Sequence, residues 1–342
     1  MFLHGISIGD LHLDKLRKLF PDNHLQLQIH ELNKACEFAI NKGIRHVFLE
    51  GDICEYARLS YEAIDVLIRF FDKWDTKLNF YLILGNHDFA EDGIHSLQPF
   101  LTMYQLKWFK TIHIFDAATQ MVIDGVTVNF LPYPHTKPLP SKLEAINVGH
   151  FEVKGSLRDN GRKIKEGIET KATWIMGHLH TPQVVGSVHY SGTLYQLNFG
   201  ESLPKGFIEF KFRYKNGKLE KQIKQIPNDP RFKLFNIVVE SKADLRKVTE
   251  NPLYLYKLFV KTNIVIPESF LAKHPNIVNW DGFKTKEELD ILIDESFLDS
   301  NEEGLLEFSV HEGLTEYLQS KKASQVQIKR ALEIMQTVKA SV

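Results

Sequence analysis

The chain has 342 residues, 43% of them hydrophobic and 25% charged, which excludes a disordered or fibrous protein and is typical of a folded globular one. The formal net charge is −1, so no overall positive field draws the chain to nucleic acid or to an anionic membrane. Two cysteines without metal-site spacing, no signal-peptide pattern and no apolar run of membrane-spanning length together indicate a reduced, cytoplasmic protein without membrane contact.

Strand-like and helix-like patterns alternate along the first third of the chain. Apolar residues recur at helical spacing over 25–42, Tyr61–Trp74 and 96–106, and each of these segments is predicted to be a helix. Short apolar runs predict strands before and between them, namely HGISIGD, RHVFLE and FYLILG. This order favours a parallel sheet with helical crossovers.

The middle of the chain is different, because closely spaced strand patterns replace the helical ones. Asp124-Gly125 and Asn216-Gly217 are typical of two-residue hairpin turns. We therefore predict a mixed two-sheet α/β sandwich over 1–226. A Pro-Asn-Asp-Pro segment at 227–230 then precedes a small α/β domain, predicted over 231–283.

The remaining residues, 284–342, are predicted to form an acidic linker and C-terminal helices. Eight acidic side chains and no basic one lie between positions 287 and 303, which is typical of a solvated linker or an exposed helix. Amphipathic patterns around 314–318 and 328–335 follow. These two short helices either pack on their own domain or dock on a partner.

Five short motifs contain metal-binding residue types, and each follows an apolar, strand-like run. The Asp-x-His and Gly-Asp motifs alone are weak evidence, because a lone His or Asp at a strand end is commonly a turn or capping residue, whereas Gly-Asn-His-Asp and Gly-His-x-His after a buried strand are more specific. Together they place such residues where α/β proteins build their sites, at the carboxyl ends of strands. The motifs are Asp10-Leu11-His12, Gly51-Asp52, Gly85-Asn86-His87-Asp88, Gly149-His150 and Gly177-His178-Leu179-His180.

The residue types in these motifs indicate a metal site. Carboxylate oxygen, amide oxygen and imidazole nitrogen together suit divalent ions such as Mn²⁺, Fe²⁺ and Zn²⁺, and the lack of thiolates argues against structural zinc. Five strand ends supply too many ligands for one metal, whereas two metals that share a bridging carboxylate fit the count. Two ions ~3.5–4 Å apart stabilise both the attacking and the leaving oxygen of a phosphoryl displacement.

In these five motifs the chain resembles the calcineurin-like metallophosphoesterases. The resemblance implies a four-layer αββα sandwich that holds two divalent metals, with Mn²⁺ expected. It also implies a role for each ligand: Asp10, His12 and His180 would hold the first metal, Asp52 would bridge, and Asn86, His150 and His178 would hold the second.

The resemblance gives His87 and Asp88 a role apart from the metals. The His87 imidazole would approach the phosphate and help to stabilise or protonate the leaving oxygen. Asp88 would be its orienting partner. An imidazole that a carboxylate orients is a suitable acid near neutral pH, which makes this division of roles physically sensible.

Segments after the last motif are similar to those of SbcD-type DNA-repair nucleases, including compact phage-encoded relatives. A phage-encoded protein of this type would be located in the cytoplasm of the host cell. The resemblance implies a 3′→5′ double-strand exonuclease and single-strand or hairpin endonuclease, the nuclease subunit of an SbcCD-like DNA end-processing and repair complex. It also implies a homodimer and a tail that docks on an SbcC-like, Rad-type coiled-coil ATPase. The similar segments are Tyr190-Ser191-Gly192-Thr193, Phe199-Gly200-Glu201 and Lys205-Gly206-Phe207.

Two points leave the substrate open. Glu55 stands where many relatives have Asp or His, so the balance between exonuclease and endonuclease activity is not settled. The basic segment 156–171 is either a solvated loop or a contact to DNA phosphates, with Arg158, Arg162, Lys163 and Lys165 as candidates. The alternatives are a stand-alone phosphatase or small-substrate phosphodiesterase on the same fold, and a non-catalytic binding scaffold.

Overall fold

The computed structural model describes residues 2–90 and 93–298, and the described residues up to Ile293 form one compact unit. The predicted helices around 314–318 and 328–335 lie outside the described residues. Within them, no helix is both long enough and apolar enough to cross a membrane.

Two six-stranded sheets form the larger part of this unit. The first has the order β12-β11-β1-β2-β3-β4, with β1 to β4 parallel and β11 antiparallel to β1. Its strands are β1 (Leu3–Ile8), β2 (His46–Glu50), β3 (Asn79–Ile83), β4 (Ile112–Phe115), β11 (Lys205–Lys215) and β12 (Lys218–Asn228).

The second sheet has the order β5-β6-β7-β8-β10-β9, and its central strands β6, β7, β8 and β10 are parallel. The two-sheet α/β architecture expected from the sequence is therefore present. The strands of this sheet are β5 (Thr119–Ile123), β6 (Val126–Leu131), β7 (Ile146–His150), β8 (Thr173–Gly177), β9 (Gln183–Val185) and β10 (Val188–Tyr190).

Helices and turns lie close to their predicted positions. The three helices predicted in the first third of the chain are observed as α1 (His24–Asn41), α2 (Tyr61–Trp74) and α3 (Gln98–Gln105). Both predicted hairpins form, since Ile123 pairs with Val126 and Lys215 with Lys218 across two-residue turns. Both turn residues in each hairpin have positive φ, from 47° to 80°, as the favoured two-residue turn requires.

Successive side chains of a strand point to opposite faces of the sheet, and this alternation divides the hydrophobic core into layers. In β2, Val47 and Leu49 pack against the helices, whereas Phe48 points between the two sheets. The same alternation in β3 sends Phe80 and Leu82 to the helices and Tyr81 towards the second sheet. One face of the first sheet is therefore covered by helices, and its other face is covered by the second sheet.

The outer face of the second sheet departs from the expected four-layer sandwich. Between positions 119 and 228, all of which the structure describes, there is no helix. Trp174 and Tyr190 on this face pack instead against Phe151, Val153 and Ile164 from the connection 151–172. This connection has no helical apolar period, so it covers the sheet as an irregular loop, and among the described residues it takes the place expected for the fourth, helical layer.

A small parallel sheet follows the sandwich, formed by β13 (Lys233–Val239), β14 (Tyr254–Lys261) and β15 (Ile277–Phe283). Short helix α4 (Glu268–Lys273) precedes β15, and α5 (Lys286–Leu298) follows it. Phe232 is fully buried, with its ring 5.3 Å from Phe20 and 5.4 Å from Tyr195. Burial of one such ring contributes about 1.5–3 kcal/mol. The division into domains at 1–226, 231–283 and 284–342 stays a prediction.

Candidate metal centre

The seven predicted metal ligands come together at one edge of the two sheets. They lie at or just beyond the carboxyl ends of β1, β2, β3, β7 and β8. Among the described residues, three groups of His and acidic side chains at this edge have ligand atoms within 4.8 Å of one another, and neighbouring groups share a residue. The groups are Asp10 with His12 and His180, His12 with Asp52 and His87, and Asp52 with His150 and His178.

Tight backbone turns make this convergence possible. Asp10, His12, Asp52 and His178 all have positive φ, between 42° and 82°, which non-glycine residues adopt rarely. Gly85 allows a close approach, because a Cβ atom there would lie 2.1 Å from the Asp52 Oδ1 atom. The glycine in this motif is therefore needed to make room for the ligand of the neighbouring strand.

The first donor set consists of Asp10, His12 and His180. His12 Nδ1 donates to the Glu55 carboxylate at 2.7 Å, so the ring presents the lone pair of Nε2 to the centre. That Nε2 atom is buried and has no hydrogen-bond partner. Burial lowers the pKa of His12 to about 4, which keeps the lone pair available. An orphaned imidazole nitrogen beside two aspartates fits a divalent cation.

Asp52 lies between the first donor set and the second. Its Oδ2 atom is 3.5 Å from His12 Nε2 and 3.2 Å from His150 Nε2, while Oδ1 accepts the His87 main-chain N–H at 2.9 Å. Burial acts to raise the pKa of Asp52, but His150 and His12 outweigh it and hold this pKa well below its usual range. An ionised carboxylate that faces both sets is suited to bridge two metals.

The second donor set joins Asp52 to His150, His178 and Asn86. The Asn86 amide oxygen lies 3.1 Å from His150 Nε2 and 3.0 Å from His178 Nδ1. His150 Nδ1 donates to the Glu50 main-chain oxygen at 2.7 Å, which points Nε2 into the centre. Burial opposes a charge on His150, yet Asp52 raises its pKa to about 9. A cation bound here would displace that proton.

His87 and Asp88 are not paired as the resemblance implied. The half-buried His87 ring has Nδ1 3.3 Å from the Glu55 main-chain oxygen, which is its orienting group. The buried Asp88 carboxylate accepts hydrogen bonds from the Gly85 N–H at 2.9 Å and the Ser96 hydroxyl at 2.7 Å. Its oxygens hold loop backbone in place, so the expectation that Asp88 orients His87 is corrected.

Three further carboxylates contact the ligand histidines. Glu55 is buried between His12 and the Lys15 ammonium, which lies 2.8 Å from its other oxygen. Glu201 and Asp159 both face His180 Nδ1, at 2.8 and 3.1 Å. Sequence reasoning marked Glu55 and Glu201 only for their place in a family pattern, and nothing in the sequence pointed to Asp159.

The candidate DNA-contact residues lie on the loop 151–172, which reaches the centre. Glu152 lies 3.9 Å from His178 Nε2 and holds Arg158 through two hydrogen bonds of 2.9 and 3.0 Å. The side chains of Arg162, Lys163 and Lys165 are exposed. Six basic and four acidic residues occur in the loop, so its net positive charge is small.

The fold and the donor sets define a candidate dinuclear metal centre of the kind that hydrolyses phosphoesters. The model of the calcineurin-like phosphoesterase family matches residues 6–204, and the chain belongs to this family. Its members are hydrolases that act on phosphoesters with divalent metals, so this assignment accounts for the residue types at the centre.

Two viral proteins are similar to this chain. It is 25% identical over 263 residues to "Putative phosphoesterase 244L" of Invertebrate iridescent virus 6, a match that covers 70% of this chain and 87% of that one. It is 24% identical over 207 residues to "Putative phosphoesterase 078R" of Invertebrate iridescent virus 3, with 53% and 58% covered. A structure of Vacuolar Protein Sorting 29 from Cryptosporidium parvum matches at 13% identity, covers 66% of this chain and 99% of that one, and has a TM-score of 0.25, too low to carry an argument.

Proposed function

We propose that the protein is a metal-dependent DNA phosphodiesterase and the nuclease subunit of an SbcCD-like DNA end-processing and repair complex. The observation that carries the reaction class is the place of Asp52, within 3.5 Å of His12 and 3.2 Å of His150 from the two donor sets. The phosphoesterase names of the two viral relatives agree with this class. The expected activities are 3′→5′ exonuclease on duplex ends and endonuclease on single strands or hairpins.

Two divalent ions, for which we propose Mn²⁺, would be held by residues that already lie close together. When bound, such ions stabilise the charge on the attacking and leaving oxygens and lower the pKa of bound water. The buried, unpartnered Nε2 of His12 and the ionised Asp52 fit this role. The holding residues are Asp10, His12 and His180 for one ion, Asn86, His150 and His178 for the other, and Asp52 for both.

His87 is proposed to act on the leaving oxygen. Its Nδ1–H faces the Glu55 main-chain oxygen, so Nε2 is the atom left to exchange a proton with substrate. The Asp52 carboxylate holds the His87 main-chain N–H at 2.9 Å and thereby fixes the ring beside the donor sets. A protonated Nε2 would donate to the sugar oxygen as the phosphodiester bond breaks.

The proposal of a DNA substrate rests on the loop 151–172. Its residues Glu152 and Asp159 approach His178 and His180, and the exposed Arg162, Lys163 and Lys165 follow a few residues later in the same loop. Contacts from these side chains to DNA phosphates would add salt-dependent affinity. Because the loop's positive charge is small, we propose that most DNA affinity comes from the ATPase partner.

One assay compares the candidate substrates directly. The purified protein with Mn²⁺ is given end-labelled duplex DNA, a DNA hairpin, a chromogenic phosphodiester and a phosphomonoester. We expect cleavage of DNA, and a loss on the order of 10²–10⁴-fold for His87→Asn, as is typical when a general acid is removed. His4→Asn is the matched control, because this part-buried histidine pairs with Glu209 at the other end of β1.

Two further arms test the DNA contacts and the partner. Lys163→Ala with Lys165→Ala should reduce the dependence of log affinity on log salt by ~0.9 for each DNA phosphate that the variant no longer binds. Deletion of 311–342 should abolish co-purification with an SbcC-like ATPase and spare basal esterase activity. Retained co-purification would contradict the proposed docking role, and homodimerisation is checked by the mass of the intact protein in solution.

A stand-alone phosphatase or small-substrate phosphodiesterase is the second candidate. The ion pair between Arg158 and Glu152 favours it, because this pair neutralises a basic side chain close to the centre. Good cleavage of the small esters with DNA untouched, both with and without the ATPase subunit, would select this candidate. A protein that binds no metal and cleaves nothing would instead be a scaffold.

A further inference from the structure

We propose that Glu201 is a positioning residue for the first metal, which acts through His180 and is itself held by Lys205. This proposal rests on the metal centre of the proposed function and deepens it. Glu201 Oε1 accepts the His180 Nδ1–H at 2.8 Å, which leaves Nε2 as the ring atom for the metal. A carboxylate in this position fixes the tautomer of a ligand histidine and increases its basicity.

Lys205 holds His180 at two points. Its ammonium lies 2.6 Å from Glu201 Oε2 and also donates to the His180 main-chain oxygen at 3.1 Å. The Leu197 N–H is a second donor to Glu201 Oε2, at 3.1 Å. Glu201 and Lys205 are almost completely buried, so their charges depend on each other. The ring and the main chain of His180 are therefore set by one buried ion pair.

The small parallel sheet is connected to the main chain of Glu201. Gln196 donates from Nε2 to the Glu201 main-chain oxygen at 2.7 Å and to the Leu234 main-chain oxygen at 3.0 Å. The Leu234 N–H donates back to Gln196 Oε1 at 3.0 Å. Because Leu234 belongs to β13, one side chain links this sheet to the loop that positions His180.

A change of Glu201 to Gln should weaken the preference of His180 for the tautomer with its proton on Nδ1. The Lys205 ammonium has only donors, so the amide oxygen of the variant would face Lys205 and the Leu197 N–H. Its amide N–H₂ would then face His180 Nδ1, despite the Asn198 donor 3.2 Å away on that side, and Asp159 at 3.1 Å would be the remaining carboxylate acceptor for Nδ1–H. Loss of the nearer acceptor therefore favours the other neutral tautomer, which has its proton on Nε2, where the metal should bind.

The experiment measures Mn²⁺ binding by the full chain through calorimetry, without any substrate. We expect two sites in the wild type, and for Glu201→Gln a loss of ~10–100-fold in affinity at one of them. Glu31→Gln is the matched control and should leave both affinities unchanged. Glu31 is as buried as Glu201, but it belongs to neither donor set and pairs with the Lys34 ammonium at a distance of 2.8 Å. Asp159→Asn should cost less than Glu201→Gln, because Asp159 is the more distant acceptor.

A double variant guards against misfolding and tests the tautomer directly. In Glu201→Gln with Lys205→Met, the buried ammonium is gone and only the Leu197 N–H still competes for the amide oxygen, which can then turn to accept the His180 Nδ1–H. The Mn²⁺ affinity should then recover in part. The proposal is overturned if both Glu201 variants bind two ions with wild-type affinity, if Asp159→Asn is the weaker binder, or if the wild type binds no metal. Two bound ions without DNA cleavage would contradict only the proposed substrate.

Discussion

The two donor sets differ in what holds their imidazoles. In the first set, His12 and His180 each donate from Nδ1 to a buried carboxylate, Glu55 or Glu201, and each of these carboxylates has a lysine partner. In the second set, His150 donates to a main-chain oxygen. A charged acceptor increases the basicity of a ligand more than a neutral one. The first metal should therefore depend on side chains that the second metal does not use.

The largest effect on phosphodiester cleavage is expected for Asp52, the carboxylate that both donor sets share. Asp52→Asn removes the charge that faces both metals. Because metal stabilisation of the reacting oxygens is worth several kcal/mol, we expect cleavage to fall on the order of 10³-fold. The measurement is phosphodiester cleavage at saturating Mn²⁺, with the exposed Asp72→Asn on α2 as control. A loss below tenfold would show that Asp52 does not bridge.

A smaller effect is expected at Glu55, which belongs to the first set alone. Glu55→Gln weakens the hold on His12 Nδ1 and leaves the Lys15 ammonium without its anionic partner. Mn²⁺ affinity should fall ~10–100-fold at one site and stay unchanged at the other. Calorimetric titration of the variant beside Glu31→Gln checks this. Equal losses of Mn²⁺ affinity at both sites would contradict the proposed difference between the two donor sets.

The smallest effect is expected for Ser191, which contacts the side chain of Glu50 and belongs to neither donor set. Ser191 donates to the buried Glu50 carboxylate at 2.7 Å, and burial raises the pKa of Glu50 to about 8. Ser191→Ala removes this hydrogen bond, which should lower the free energy of unfolding by about 1 kcal/mol. Mn²⁺ affinity should not change, because His150 uses the main-chain oxygen of Glu50. Urea denaturation and metal titration of one preparation separate the two outcomes.

Much of the centre was predictable because its ligands follow strands. Asp10, Asp52 and Asn86 come directly after apolar runs, and parallel strands end at the same edge of a sheet. The contacts of Glu201, Asp159 and Asp88 were not predictable in this way. They depend on how loops far apart in sequence fold over the edge, and hydrogen bonds such as that between Asp88 and Ser96 leave no periodic pattern.

In the fold, too, the features that depend on short stretches of sequence were predictable, and those that depend on distant residues were not. Hairpins at Asp124-Gly125 and Asn216-Gly217 and the helix Tyr61–Trp74 follow from short-range patterns, and the structure has them at these positions. The helical fourth layer was expected only from the resemblance. Within the part of the chain that the structure describes, the loop 151–172 lies there instead, since Phe151, Val153 and Ile164 cover the sheet without a helical period.

The left-handed backbone of the metal ligands has a consequence for protein engineering. Asp10, His12, Asp52 and His178 each have positive φ, and such conformations cost on the order of 1–3 kcal/mol per residue. Glycine adopts them without this cost. A screen that selects only for heat resistance in the absence of metal should therefore collect changes to glycine such as His178→Gly, and would enrich inactive proteins. Thermal selection of this chain needs a cleavage assay alongside it.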